Sequence, residues 1–159
     1  MEEIKKLQKD IIEKLLQKDK EELTNTQTAE VEIERLSELI GEPCIFRIRG
    51  FTNKEMKELR ELNTKKEWRN IKRNGKTVKE EVEVIDSYKL GLDCIVEATI
   101  EPNFRDSRLR EKFGTEIPTD IVEEMLQPKE IAKIAKVIKE LMGESEEESQ
   151  QDIDEEIKN

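Results

Sequence analysis

The second half of this chain is cut into short pieces by its own prolines and glycines, which leaves few folds open to it. Between residues 86 and 143 the breaks fall at Pro102, Gly114, Pro128 and Gly143. A proline inside a helix removes a hydrogen bond and clashes with the preceding turn, and glycine favours the left-handed residue that closes one. Asp86 or Ser87 caps a first helix with Leu90, Cys94, Ile95 and Ala98 at helical spacing, and Pro102 stops it. Asp106 or Ser107 caps a second, which ends at Gly114. Thr119 opens a third that halts before Pro128. Pro128 suits the first turn of a fourth, where Ile131, Ile134, Ala135, Ile138 and Leu141 share one stripe opposite Lys and Glu. Four short helices, each with a face to bury, predict a compact helical unit.

The first half is mixed. Residues 30–34 alternate Glu, Val, Glu, Ile, Glu, as a strand with one buried face does. Residues 35–40 are ambiguous, and Gly41-Glu42-Pro43 breaks them. Residues 44–49 form a second strand, Phe46 and Ile48 inward, Arg47 and Arg49 outward, which pairs most simply antiparallel to the first. Thr52 or Asn53 then caps a helix that buries Met56, Leu59 and Leu62. Beyond it, Asn74-Gly75 marks a tight hairpin, because both residues tolerate the positive φ of a type I′ turn. The expected fold class is therefore α+β: a mainly helical domain with a small antiparallel sheet and a hairpin. Its buried set comprises Phe46, Ile48, Leu59, Leu90, Ile95, Phe104, Phe113, Ile131, Ile134 and Ile138.

Two segments point outward. Residues 2–23 read as an amphipathic helix with Ile4, Leu7, Ile11, Leu15 and Leu16 on one face and Ile12 at its margin. Residues 24–29 read as a linker, with Thr24, Asn25, Thr26, Gln27 and Thr28 in succession. A stripe on a linker is either a docking element or a helix folded back on its own domain, and the sequence supports both equally. The hairpin carries seven basic residues against one acid between Lys65 and Lys79. Trp68, Asn70 and Lys72 line one face of its first arm, and Val78, Val82 and Val84 lie on the second. One reading is a basic patch for an acidic partner or nucleic acid, with Trp68, Arg69 and Lys72 in contact. The other is a solvated hairpin whose Trp68 packs on the domain and whose lysines protect its edges.

Composition narrows the chemistry. The chain has no histidine, which removes the commonest general base and metal ligand. Cys44 and Cys94 are isolated, each inside an apolar run, so reduced buried thiols are expected and zinc-ligand spacing is missing. No glycine-rich phosphate loop occurs. Adjacent acids such as Glu123-Glu124 diverge on a helix and make no two-carboxylate site. The expectation is a protein without catalytic activity, cofactor or metal. The formal charge of −10 is concentrated at one end, with eight acids and one lysine from Gly143 onward. Residues 144–159 thus read as an acidic, disordered tail, and the rest of the chain is close to neutral. The opening MEEIKKLQKD lacks the apolar core of a signal peptide, and no run reaches membrane-spanning length.

Several of these residues also carry a resemblance. Glu101-Pro102-Asn103-Phe104-Arg105-Asp106, Phe113-Gly114, Leu126-Gln127-Pro128-Lys129-Glu130-Ile131-Ala132 and the ending Ile153-Asp154-Glu155-Glu156-Ile157-Lys158-Asn159 resemble the XkdN-like tail assembly chaperones of phages infecting Gram-positive bacteria. Lys129 stands where that family usually has glycine, and Gly143-Glu144-Ser145 where it has Gly-Phe-Asp. The likeness spans residues 31–159, which leaves the 2–23 segment outside it. It implies residues 30–143 as a chaperone domain in the host bacterial cytoplasm, absent from the mature virion. It implies the tape measure protein and the tail tube protein as partners, with possible self-association and no membrane. The alternatives are a small nucleic-acid-binding module using hairpin 65–79, disfavoured by the acidic tail, and a structural tail component.

Overall fold

The computed structural model describes residues 2–143. In chain order these form α1 (Glu2–Leu16), α2 (Lys20–Thr24), β1 (Thr28–Glu32), α3 (Glu34–Ile40), β2 (Ile45–Arg49), α4 (Asn53–Leu62), β3 (Thr64–Arg73), β4 (Lys76–Ile85), α5 (Ser87–Ala98), β5 (Thr99–Glu101), α6 (Ser107–Phe113), α7 (Pro118–Met125) and α8 (Pro128–Leu141). The fold is α+β with small antiparallel sheets, as the alternation and the punctuation predict.

The core grows from the alternating strands. β1 pairs antiparallel with β2, Val31 opposite Phe46 and Ala29 opposite Ile48. β5 pairs antiparallel on the other side of β2, so the order is β1-β2-β5. Outward, Glu30 stands across from Arg47, an opposite-charge pair that suits a solvated face. Inward, Val31, Phe46 and Ile48 are buried beneath α8, whose Ile134 and Ile138 are buried over them. α5 lies between this layer and α7, burying Leu92, Ile95, Val96 and Ala98. Phe104 meets Phe46 edge-on, centroids 6.0 Å apart at 67°.

The helix ends follow their residues. Thr52 caps α4 in a capping box with Glu55, and Glu55 also holds Arg49 at 2.8 Å. Asp86 caps α5, accepting from the Lys89 N–H at 3.1 Å. Asp106 caps α6 and accepts from both the backbone and the guanidinium of Arg108, which hold its carboxyl down at about 2. Gly41 and Gly114 close α3 and α6 at φ 76 and 66, the left-handed region that glycine enters without strain. Pro128 opens α8, where the Gln127 N–H donates to Glu130 Oε1 at 2.8 Å. Glu130 itself is buried. Arg35 on α3 reaches it with Nη2 at 2.8 Å and Nε at 3.2 Å, while Nη2 also donates to the Met125 carbonyl at 2.6 Å. One guanidinium thus joins α3, the end of α7 and the start of α8.

Several expectations are corrected. The helix expected over 2–23 is two helices, broken at 17–19, because Asp19 takes the extended backbone of an N-cap. β1 starts at Thr28, two residues before the expected strand and within the stretch read as linker. The ambiguous 35–40 stretch is helical, with Ile33 buried at its N-cap. The third late helix begins at Pro118 rather than Thr119, proline being favourable in the first turn. β5 was not expected, because three residues between a helix and a proline carry no period. Leu62 is 73% exposed, since the next residue, Asn63, takes the inward position. Leu90, Phe113 and Ile131 are partly buried and line the core rather than fill it. Cys44 and Cys94 are free thiols that burial pushes up. The acidic 144–159 stretch lies outside the described residues.

Two outcomes follow from this packing. Ile134→Ala should destabilise the domain by about 2–4 kcal/mol in denaturant unfolding, the cost of a core cavity. Glu130 is held below the usual carboxylate range, first by the Arg35 hydrogen bond and then by the Gln127 N–H. Because its folded value lies below its unfolded one, that contribution is complete at neutral pH and is lost as pH falls through the carboxylate range. Arg35→Met should therefore lower the melting midpoint at pH 7 and lessen the further decline between about pH 5 and 3.

Candidate partner-docking surfaces

β3 and β4 form an arm inserted between α4 and α5. Its base is closed by Asn63, which is 2% exposed. Asn63 Nδ2 donates to the Leu59 carbonyl at 2.9 Å and to Asp93 Oδ2 at 2.8 Å, and the main-chain carbonyl of Asn63 accepts from the Asp86 N–H at 2.8 Å. From there ten residues of each strand pair without a bulge, Thr64 opposite Ile85 out to Arg73 opposite Lys76. Asn74 and Gly75 turn the chain at φ 50 and 76, as a type I′ turn requires.

The arm's two faces differ. Trp68, Asn70 and Lys72 lie on one, across from Glu81, Lys79 and Thr77. Arg69, Ile71 and Arg73 lie on the other with Glu80, Val78 and Lys76, alongside Val82 and Val84. Trp68 is 70% exposed, so the expectation that it packs on the domain is not met. The candidate residues Trp68 and Lys72 share a face, whereas Arg69 is on the opposite one and pairs with Glu67 at 3.6 Å. Arg73 pairs with Glu80 at 3.0 Å. Among the described residues, Lys72, Lys76 and Lys79 form no ion pair.

The second surface is α1. Ile11, Ile12, Leu15 and Leu16 are all exposed, Leu16 at 78%, and Leu23 on α2 is exposed as well. Ile11 with Leu15, and Ile12 with Leu16, stand one turn apart and give this part of the helix an apolar side. The side chains of the other two candidates, Ile4 and Leu7, lie outside those described. The reasoning from sequence missed three exposed apolar residues at the α3–β2 connection, Leu39, Ile40 and Ile45. A signal was available in Leu39-Ile40 immediately before Gly41, where a helix that half-buries Leu36 turns its other side outward.

An open cleft of about 540 Å³ runs between α3 and α8, lined by Glu32, Arg35, Glu38, Lys129, Glu130 and Lys133. Its central charges are already satisfied: Arg35 and Glu130 bind each other, and Lys133 Nζ donates to the Glu32 carbonyl at 2.9 Å. No group of three or more His, Cys, Asp or Glu among the described residues could hold a metal. No helix there is long and apolar enough to cross a membrane.

Against known proteins, the sequence model for the phage XkdN-like tail assembly chaperone protein matches residues 12–158. The match begins inside α1, well before the residues 31–159 on which the resemblance rests. The chain is 29% identical over 103 residues to the uncharacterized protein YqbN of Bacillus subtilis (strain 168), which covers 63% of this chain and 64% of that one. A crystal structure of YqbN shares the fold at a TM-score of 0.53 and 23% identity, covering 75% of this chain and 88% of the other.

The arm's geometry separates its tip from its root. Trp68→Ala should shift stability by no more than about 0.5 kcal/mol, as exposed positions do. Asn63→Ala should cost about 1–3 kcal/mol, because it strands buried polar groups at the arm's base. Urea titrations of both variants check this.

Proposed function

Because the chain belongs to the phage XkdN-like tail assembly chaperone family, we propose that it binds the tape measure protein, keeps that long helical chain soluble, and helps bring tail tube subunits to it in the host cytoplasm. In this reading it leaves before the tail is complete. The observation that carries the proposal is the exposed apolar side of α1, Ile11 and Leu15 with Ile12 and Leu16 beside them. A folded chain with a closed core has no internal use for such a row, since each exposed Leu or Ile forgoes roughly 1.5–3 kcal/mol of burial. A long amphipathic partner helix offers the complementary stripe, and helix-on-helix capture reads it at one-turn spacing. By their spacing in the sequence Ile4 and Leu7 extend this row, so the proposed docking face comprises Ile4, Leu7, Ile11, Leu15 and Leu16, with residues 25–27 between α2 and β1. The arm supplies a second contact of positive charge through Trp68 and Lys72 on one face, with Arg69 on the other. Self-association through α1 uses the same stripe.

Nucleic acid on hairpin 65–79 is the second reading, favoured by the exposed Trp68 beside unpaired lysines. A salt-titrated binding assay with single-stranded and duplex DNA decides it, since phosphate binding weakens steeply with salt. Retention as a structural tail component would show as the protein's peptides in mass spectra of purified particles.

Co-expression tests the main reading. The wild-type chain should hold the tape measure protein in the soluble fraction, and the Ile11→Ser, Leu15→Ser double variant should lose it with stability unchanged within about 0.5 kcal/mol. If instead the variant melts early and the partner stays soluble, the helix belongs to the core and the proposal fails.

A further inference from the structure

Beyond the Arg69–Glu80 pair, the turn end of the arm is charged on one sign only. Between Arg69 and Lys79 there are five basic residues and no acid, while Glu80, Glu81 and Glu83 begin directly after. The arginines are internally paired, with Glu67 and Glu80. What remains uncompensated is lysine: Lys72 and Lys79 on the Trp68 face, and Lys76 at the turn. Trp68, 70% exposed, stands on that face with Asn70 between it and Lys72. Glu81 stands across from Trp68, and beyond that pair toward the turn the face carries Lys72 and Lys79 with no acid, which suits an acidic peptide that also carries aliphatic side chains.

We infer that the Trp68 face of the arm is the binding site for this chain's own residues 144–159. That segment has eight acids and one lysine, and its isoleucines, Ile153 and Ile157, are each set beside acids. It can reach. Gly50 packs against the end of α8, a β-carbon there standing 3.4 Å from that of Leu141. Following the chain from Gly50 through α4 and five residues up β3 bounds the separation of Gly143 from Trp68 at about 50 Å. Sixteen extended residues span about the same length, and the straight-line distance is shorter than this bound. Tethering also raises the segment's effective concentration at the arm, so it outcompetes an untethered polyanion of similar charge. The acidic segment thereby covers the basic face until a stronger acidic partner displaces it, a role separate from the apolar capture proposed for α1.

Trp68 is the chain's single tryptophan, so its fluorescence reports on this site alone. The test uses acrylamide, an uncharged quencher, on the full chain. The comparison is a full-length variant with Glu146, Glu147, Glu148, Asp152, Asp154, Glu155 and Glu156 changed to Gln or Asn. Neutralisation should red-shift the emission and raise the quenching constant about twofold, as expected when one of two ring faces is uncovered. The wild-type chain in 0.5 M salt should move the same way, salt of about that strength screening such contacts. Lys72→Glu with Lys79→Glu should give the exposed value whichever segment is present, with unfolding midpoints unchanged. Identical quenching of the wild-type and neutralised chains at low salt overturns the inference. So does protection of Trp68 by single-stranded DNA combined with no effect of neutralisation, which would give the face to nucleic acid.

Discussion

The pairing of Arg35 with Glu130 is the interaction on which the rest of the body depends. Glu130 is a buried carboxylate at the first turn of α8, and the adjacent Gln127 N–H meets only part of its need for partners. A buried charge with one partner removed is strongly destabilising, so Arg35 is what permits Glu130 to be there at all. In return the guanidinium, bonded also to the Met125 carbonyl, fixes where α7 stops and where α8 starts. That placement decides which residues of α8 face the sheet. Ile134 and Ile138 follow Glu130 at four-residue intervals and come down on Phe46 and Ile48. A three-stranded sheet of short strands cannot set that register by length alone. A polar contact sets it instead.

With the core closed in this way, the parts that project from it are free to serve partners. The arm leaves the body through Asn63 and the Asp86 N–H, and its ten paired residues per strand keep one register from the base to the turn. α1 precedes the sheet and presents apolar residues outward. A chaperone gains from this division, because its sticky surfaces can engage and release a partner while the fold that carries them stays intact. The family match extends through the body and begins at residue 12, so it includes the last five residues of α1.

Much of this was legible in the residues. The Asn74-Gly75 turn, the Thr52 and Asp86 caps, and the break at Pro128 each have a local cause, and each is where the sequence puts it. The antiparallel pairing of two strands here followed from alternation and proximity, although the first lies at 28–32 rather than 30–34. What the sequence hid was long-range. β5 exists only because β2 has a second edge to satisfy, and its three residues carry no signal of their own. Asn63 reads as an ordinary helix-terminal polar residue until Asp93 is found beside it. Trp68 reads from sequence either as packing on the domain or as facing a partner, and the structure leaves it 70% exposed. The apolar residues of α1 were legible as a stripe, but a stripe looks the same whether it faces its own core or another chain.

Hydrogen–deuterium exchange on the full chain, with and without co-purified tape measure protein, tests the account most directly. Capture by α1 predicts slowed exchange across residues 10–24, with the β1-β2-β5 sheet and α8 unchanged. Slowed exchange in that sheet and α8, with none across 10–24, would contradict it and place the binding surface on the body.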